Sequence, residues 1–255
     1  MTPTFKFLKT PAKTSETLVI PIFSDLKLSA TAADINKKSN GLIQDILKST
    51  KDFKAKAGTQ ITITLPSKTG FTKLILLGLG DAKKLTTIET EENGGKLFKT
   101  LKGANVTHAT IAIPAKIKGA KISTDTLGAH IANGAKLASY TFKKYKKPAK
   151  TAGAKLKRID IINDLHANTA KTFETLNAVT TGTFLARDLI NEPPNELYPE
   201  SFAQIIKDEL KPLGVDIEIL NEKKMLKLGM GAIMAVGQGS IRQPRMVIML
   251  SLIHI

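Results

Sequence analysis

In KLILLGLG, Lys73–Gly80, the residues Leu74, Ile75, Leu76 and Leu77 follow one another with no polar side chain between them. An exposed strand would alternate; an unbroken apolar run this short reads as a strand buried on both faces. Gly78 and Gly80 then read as a tight turn leaving the sheet. Working outward, TLVIPIF (17–23), ITITL (61–65), HATIAIP (108–114) and LKRIDIIN (156–163) read as further strands. Between them DINKKSNGLIQDILKS, TTIETEENGGKLFKTLK and STDTLGAHIANGAKLASYTFKKYK carry helical spacing, the last with Ser123 or Thr124 as N-cap. Strands alternating with helices predict an α/β fold with a mostly parallel sheet and right-handed crossovers.

A second block follows. A long helical pattern from Ala167 to Asn191 places Leu176, Val179, Thr183, Ala186, Leu189 and Ile190 near one face, and Pro193 and Pro194 end it. Beyond the break, PESFAQIIKDELKPLG reads as a helix with Pro199 near its first turn and Gly214 as its stop. VDIEIL is a strand, NEKKMLKLG a short helix that Asn221 caps, and RMVIML a final strand. No internal repeat is present, and KKPAKTAGAK reads as an exposed loop.

Composition bounds the function. The chain has 255 residues, 42% hydrophobic and 24% charged, enough for one large or two ordinary domains. It has no Cys, which excludes disulfides and thiolate metal sites and fits a reducing, cytoplasmic location. No apolar run approaches the roughly 20 residues of a bilayer span. A signal peptide around TLVIPIF and SATAAD is rejected, because Pro21, Asp25 and Lys27 interrupt an apolar core that is already short. Residues 1–165 hold 29 Lys+Arg against 12 Asp+Glu, or +17, and residues 166–255 hold 9 against 10, or −1, which together reproduce the overall +16. So basic a segment could attract phosphate backbones. Only four of the 38 cations are Arg, which favours a solvated lysine face over base-reading contacts.

Motifs of chemistry are sparse. After Gly78 and Gly80 the G-x-G-x-x-G spacing fails at Lys83, and no P-loop Lys-Ser/Thr follows. GMGAIMAVGQGS, Gly229–Ser240, lacks Lys, and its glycines read as helix stops and points of close packing. His108, His130, His166 and His254 lack ligand spacing and read as surface or strand-end histidines. Glu192, Glu196, Glu200, Asp208 and Glu209 fit helix capping and a solvated face better than a cation site. No catalytic, cofactor-binding or metal-ligating residue is assigned on this basis.

ARDLINEPPNELYPESFA followed by LGMGAIMAVGQGSIRQPRMVIM closely resembles the leucyl aminopeptidase family, the cytosolic aminopeptidases. The resemblance implies an N-terminal α/β domain over 1–166, a connector helix over 167–191 and the start of a catalytic domain over 192–255, with the proline pair marking entry into the latter. It implies an exopeptidase that releases N-terminal residues from peptides with two divalent ions, Zn²⁺, Mn²⁺ or Mg²⁺, and that forms hexamers. Such ions polarise the scissile carbonyl and generate hydroxide near neutral pH. The family's ligand motifs resemble G-K-G-x-x-F-D-x-G-G and N-T-D-A-E-G-R, and neither is in these 255 residues. LSLIHI, residues 250–255, departs from the family where a polar turn is expected. The expectation is therefore a C-terminally truncated chain, inactive alone and not assembling normally, with residues 250–255 either a non-native end or an authentic terminal strand; nucleic-acid binding or a structural role of the basic domain is the alternative.

Overall fold

A computed structural model describes residues 2–12, 15–147 and 155–251, and the chain divides into two compact units, 1–184 and 185–255. The centre of the KKPAKTAGAK loop, 148–154, and the end of LSLIHI, 252–255, lie outside the described residues.

Unit 1 is built around the apolar run, which forms β4 (Lys73–Gly78). With β1 (Thr4–Leu8), β2 (Thr17–Ile22), β3 (Gln60–Thr64), β5 (His108–Ala112) and β6 (Arg158–Ile162) it makes a six-stranded sheet in the order β1-β6-β5-β2-β4-β3. Every neighbouring pair is parallel except β3 against β4 at one edge. β1 is absent from the sequence reading. It is an edge strand that alternates Phe5 and Phe7 with Thr4 and Lys6, so it shows no continuous apolar run.

Alternation within the central strands feeds two cores. Leu18, Ile20, Ile22, Leu74 and Leu76 pack under α1 (Ala30–Lys38) and α2 (Leu42–Ser49). Val19, Ile75, Leu77, Ile111 and Ile161 pack under α3 (Thr87–Gly103), α4 (Thr124–Ala138) and the start of α5 (His166–Asn191). Each fully buried Leu or Ile contributes about 1.5–3 kcal/mol.

Local signals set the helix ends. Thr86 and Glu89 close a capping box on α3, each side chain accepting the other's backbone N–H at 3.2 and 3.0 Å. Ser123 occupies the N-cap position of α4. The single helix read over 34–49 is instead two, because Asn40 and Gly41 adopt φ of 56° and 87° and turn the chain. Asn36, buried at the turn, accepts the Gln44 N–H at 3.1 Å. α4 stops at Ala138, short of the predicted Lys146; Ser139 follows and donates to the Lys136 carbonyl at 2.6 Å.

The face of α5 only partly follows the apolar stripe read in the sequence, of which Leu176 does pack against the core. Val179 and Ile190 are 68% and 84% exposed, whereas Thr169, Phe173 and Thr180 are buried. Phe173 lies 5.4 and 5.1 Å from the rings of Phe5 and Phe7, and each threonine is satisfied: Thr169 donates to the Leu165 carbonyl, Thr180 to Asn133 Oδ1. One aromatic and two bonded hydroxyls outweigh the aliphatic count.

α3 and α4 approach backbone to backbone. A Cβ at Gly94 would stand 2.2 Å from the Ile131 carbonyl oxygen, and one at Gly134 would stand 1.8 Å from that of Glu91. Across the same contact Glu91 Oε1 meets His130 Nδ1 at 2.8 Å and Asn133 Nδ2 at 3.0 Å.

Unit 2 contains α6 (Pro199–Leu210), β7 (Asp216–Leu220), α7 (Glu222–Lys227), α8 (Gly231–Gly237) and β8 (Met246–Leu250). β7 and β8 pair antiparallel, Ile219 opposite Val247. Gly214 ends the short turn after α6 with φ 82°, and Asn221 Oδ1 caps α7 by accepting the Lys224 N–H at 3.1 Å. Ala203, Leu220 and Met225 are buried, but Val236 and Ile241 are 87% and 97% exposed.

Gly134→Ala is expected to destabilise unit 1 by about 3 kcal/mol through overpacking. Gly182→Ala, where nothing lies within 4 Å, should instead stabilise by up to about 1 kcal/mol. Urea unfolding midpoints of the two variants check the contrast.

Candidate functional site

The abrupt stop after α5 is held by short local bonds. Asn191 Nδ2 donates to the Arg187 carbonyl at 2.7 Å, folding the last side chain of the helix back onto its own final turn. The Pro193 carbonyl accepts the N–H groups of Glu196 and Leu197, both at 2.9 Å. Ser201 Oγ accepts the Tyr198 N–H at 2.9 Å and donates to the Glu196 carbonyl at 2.7 Å, fixing the entry to α6 at Pro199. Asn195 Nδ2 reaches Glu196 Oε1 at 3.4 Å.

The two motif stretches, separated in sequence by residues 204–227, meet within unit 2. The Arg242 guanidinium lies 3.9 Å from the centre of the Tyr198 ring, a stacked cation–π contact. Arg245 Nη2 stands 3.4 Å from Glu200 Oε1. These pairings join elements; neither Arg was singled out in the sequence, because a contact between distant residues leaves no periodic trace.

Paired metal ions require several carboxylates that converge on one point. Glu200 is engaged by Arg245, Asp208 Oδ1 accepts from Gln204 Nε2 at 2.7 Å, and Glu196 turns to Asn195. Among the described residues no group of three or more His, Asp or Glu side chains is placed to share an ion. The described residues therefore gather no ligand set for two ions.

Two of the histidines, His108 and His130, do structural work that their spacing concealed. His108 does begin a strand, yet it is buried, with Nε2 2.9 Å from Asp160 Oδ2. Arg158 completes the cluster from Nε to Oδ1 at 2.6 Å and from Nη2 to Oδ2 at 2.8 Å. His130, read as a surface or strand-end residue, lies on α4 and pairs with Glu91. His166 opens α5, and His254 lies outside the described residues. On the neighbouring helix face, burial holds the Lys136 ammonium below the ordinary lysine pKa; it contacts Asn177 Oδ1 and lies 5.8 Å from the Phe184 ring centre.

The glycine turn after β4 offers no phosphate cradle. The Gly78 N–H is taken by the Thr59 carbonyl and the Gly80 N–H by that of Ala55, both at 2.8 Å. Gly80 has φ 75°, and a Cβ on Gly78 would lie 2.5 Å from the Lys56 carbonyl oxygen, so both glycines answer to the turn and to close packing.

Residues 19–149 match the profile of the cytosol aminopeptidase family, N-terminal domain, and residues 184–251 match that of the family's catalytic domain. The chain belongs to the cytosol aminopeptidase family. Among curated family relatives, proteins of Rickettsia africae and Rickettsia conorii, each described as a probable cytosol aminopeptidase, are 35% identical over 245 residues, 95% of this chain and 49% of theirs. The chain thus spans about half the length of the curated family members it matches. The family fold recurs in a tomato leucine aminopeptidase mutant, TM-score 0.78 at 20% identity over 96% of this chain and 50% of that one. It recurs also in the bottromycin maturation enzyme BotP in complex with Mn, TM-score 0.71 at 20% identity over 92% and 45% of the two chains. These likenesses bear out the resemblance and the α/β class with its mostly parallel sheet.

Asp160→Ala would remove the buried carboxylate that Arg158 and His108 share. A loss of about 3 kcal/mol is expected, read from thermal unfolding; a melting curve unchanged from the parent would show that the cluster is idle.

Proposed function

We propose that this chain supplies the N-terminal domain, the connector helix over 167–191 and the first part of the catalytic domain of a metal-dependent aminopeptidase acting on peptides. The observation that carries the reading is the pair of family matches, 19–149 and 184–251, in the family's own order along one chain. BotP, a fold relative, is described in complex with Mn, which supports a divalent-metal enzyme. The ligands for two ions, Zn²⁺, Mn²⁺ or Mg²⁺, belong in this reading to the half of the relatives that the chain does not span. No catalytic or metal-binding role is assigned to a residue of this chain. NEPPN and the Tyr198–Arg242 pairing are then architectural, holding the entry to the catalytic domain.

A cytoplasmic location is proposed from the relatives, described as cytosol enzymes; among the described residues no helix is long and apolar enough to cross a membrane. Normal hexamer assembly is not expected of this chain alone. A second reading, weak nucleic-acid binding by residues 1–165, is supported by their charge of +17, from 29 Lys+Arg against 12 Asp+Glu.

The test joins the second half of the Rickettsia conorii relative after Met249 and compares this chimera with the 255-residue chain in hydrolysis of a leucyl anilide. The chimera should release leucine with Mn²⁺ and lose activity with a chelator, and the 255-residue chain should release none with any of the three metals. Metal-dependent release by the shorter chain would contradict the assignment of the ligands elsewhere. A folded but inactive chimera would contradict the peptidase reading itself.

A further inference from the structure

A cleft of about 550 Å³ opens at the carboxyl ends of β2, β4 and β5, within the size range of small-ligand sites. Its cause is a proline in a central strand. β2 pairs with β4 as far as Ile22 opposite Gly78, but its pairing with β5 ends at Val19 opposite Ile111. The Ile22 carbonyl accepts the Leu79 N–H on the β4 side at 2.8 Å, and neighbouring residues of a strand turn their backbone groups to opposite sides. The N–H that Pro21 lacks is therefore missing on the β5 side, where the ladder stops. Pro21 itself lines the cleft.

The topology makes this gap a switch point. The chain leaves β2 toward α1, on one face of the sheet, and leaves β4 and β5 toward α3 and α4, on the other. The loops after these strands diverge, and open α/β sheets bind ligands in the crevice so formed.

Its chemistry is mixed. Phe23, Pro114 and Ile117 give it apolar walls, and Lys27, Lys83, Lys116 and Lys118 stand around them. Among the described residues none of these four ammonium groups is paired with a carboxylate. The two acids of the lining are tied into their own turns, Asp25 Oδ1 accepting the Lys27 N–H at 3.2 Å and Asp81 Oδ1 the Lys83 N–H at 2.9 Å. Ser29, also in the lining, caps α1, whose first turn carries no acidic residue, so the helix N-terminus adds to the positive field.

We propose that this cleft binds a phosphorylated small molecule of nucleotide size, its aromatic or apolar body against Phe23, Pro114 and Ile117 and its phosphates among the four lysines. Recognition rests on side-chain charge, since the N–H groups of Gly78 and Gly80 are already bonded within the protein. The inference is independent of the peptidase reading.

The 255-residue chain is titrated by calorimetry and by amide NMR with ADP, with adenosine and with inorganic phosphate. ADP should bind at least about tenfold more tightly than either part alone, with shifts confined to the loops after β2, β4 and β5. The double variant Lys83→Ala, Lys118→Ala changes two exposed side chains and should keep the parent's melting temperature. It should weaken ADP by about tenfold or more and leave adenosine unchanged. Phosphate binding as tightly as ADP would reduce the site to surface charge and overturn the proposal. Adenosine matching ADP, no ADP binding up to about 10 mM, or a double variant of undiminished affinity would overturn it equally.

Discussion

β2 cannot be exposed on either side: from Thr17 to Ile22 every residue is buried. That constraint requires a partner strand on each edge and a helical layer on each face, and β4, β5 and the two cores meet it. The same strand carries Pro21, whose missing donor ends one ladder before the other. A fold that demands complete burial along β2 therefore also parts beside it, and the opening falls where the crossovers diverge.

Specific contacts then select one packing among many apolar ones. Gly94 and Gly134 let α3 and α4 approach at a distance that no side chain tolerates. Glu91, His130, Asn133 and Thr180 link three helices by bonded polar groups, and Asp160 gathers Arg158 and His108 beneath the sheet surface. Unsatisfied, each of these groups would oppose folding; satisfied, each penalises any register that separates its partners.

Much of this was legible in the sequence and some was not, for identifiable reasons. Runs such as Leu74–Leu77 announce doubly buried strands, and Asn221, Pro199 and Gly214 mark helix ends because capping is local chemistry. β1 escaped notice because an edge strand needs only one apolar face, and Phe5 and Phe7 supply it in two residues. The turn at Asn40 and Gly41 was hidden by helix-like spacing on both sides. The face of α5 was partly misread because Thr169 and Thr180 count as polar until their hydroxyls find acceptors. In the candidate site, the NEPPN and GQGSIRQPR stretches carried the family resemblance. Their meeting through Tyr198 and Arg242, like the cleft beside Pro21, depends on tertiary contact.

β2 is buried at every residue, whereas unit 2, with a two-stranded sheet and exposed Val236 and Ile241, has a lesser stability of its own. Native-state hydrogen exchange of the 255-residue chain measures this directly. The amides of β2, β4 and β5 should exchange only through global unfolding, and those of β7 and β8 through openings of lower free energy. Equal protection in both units, or faster exchange in β2 than in β7, would contradict this order.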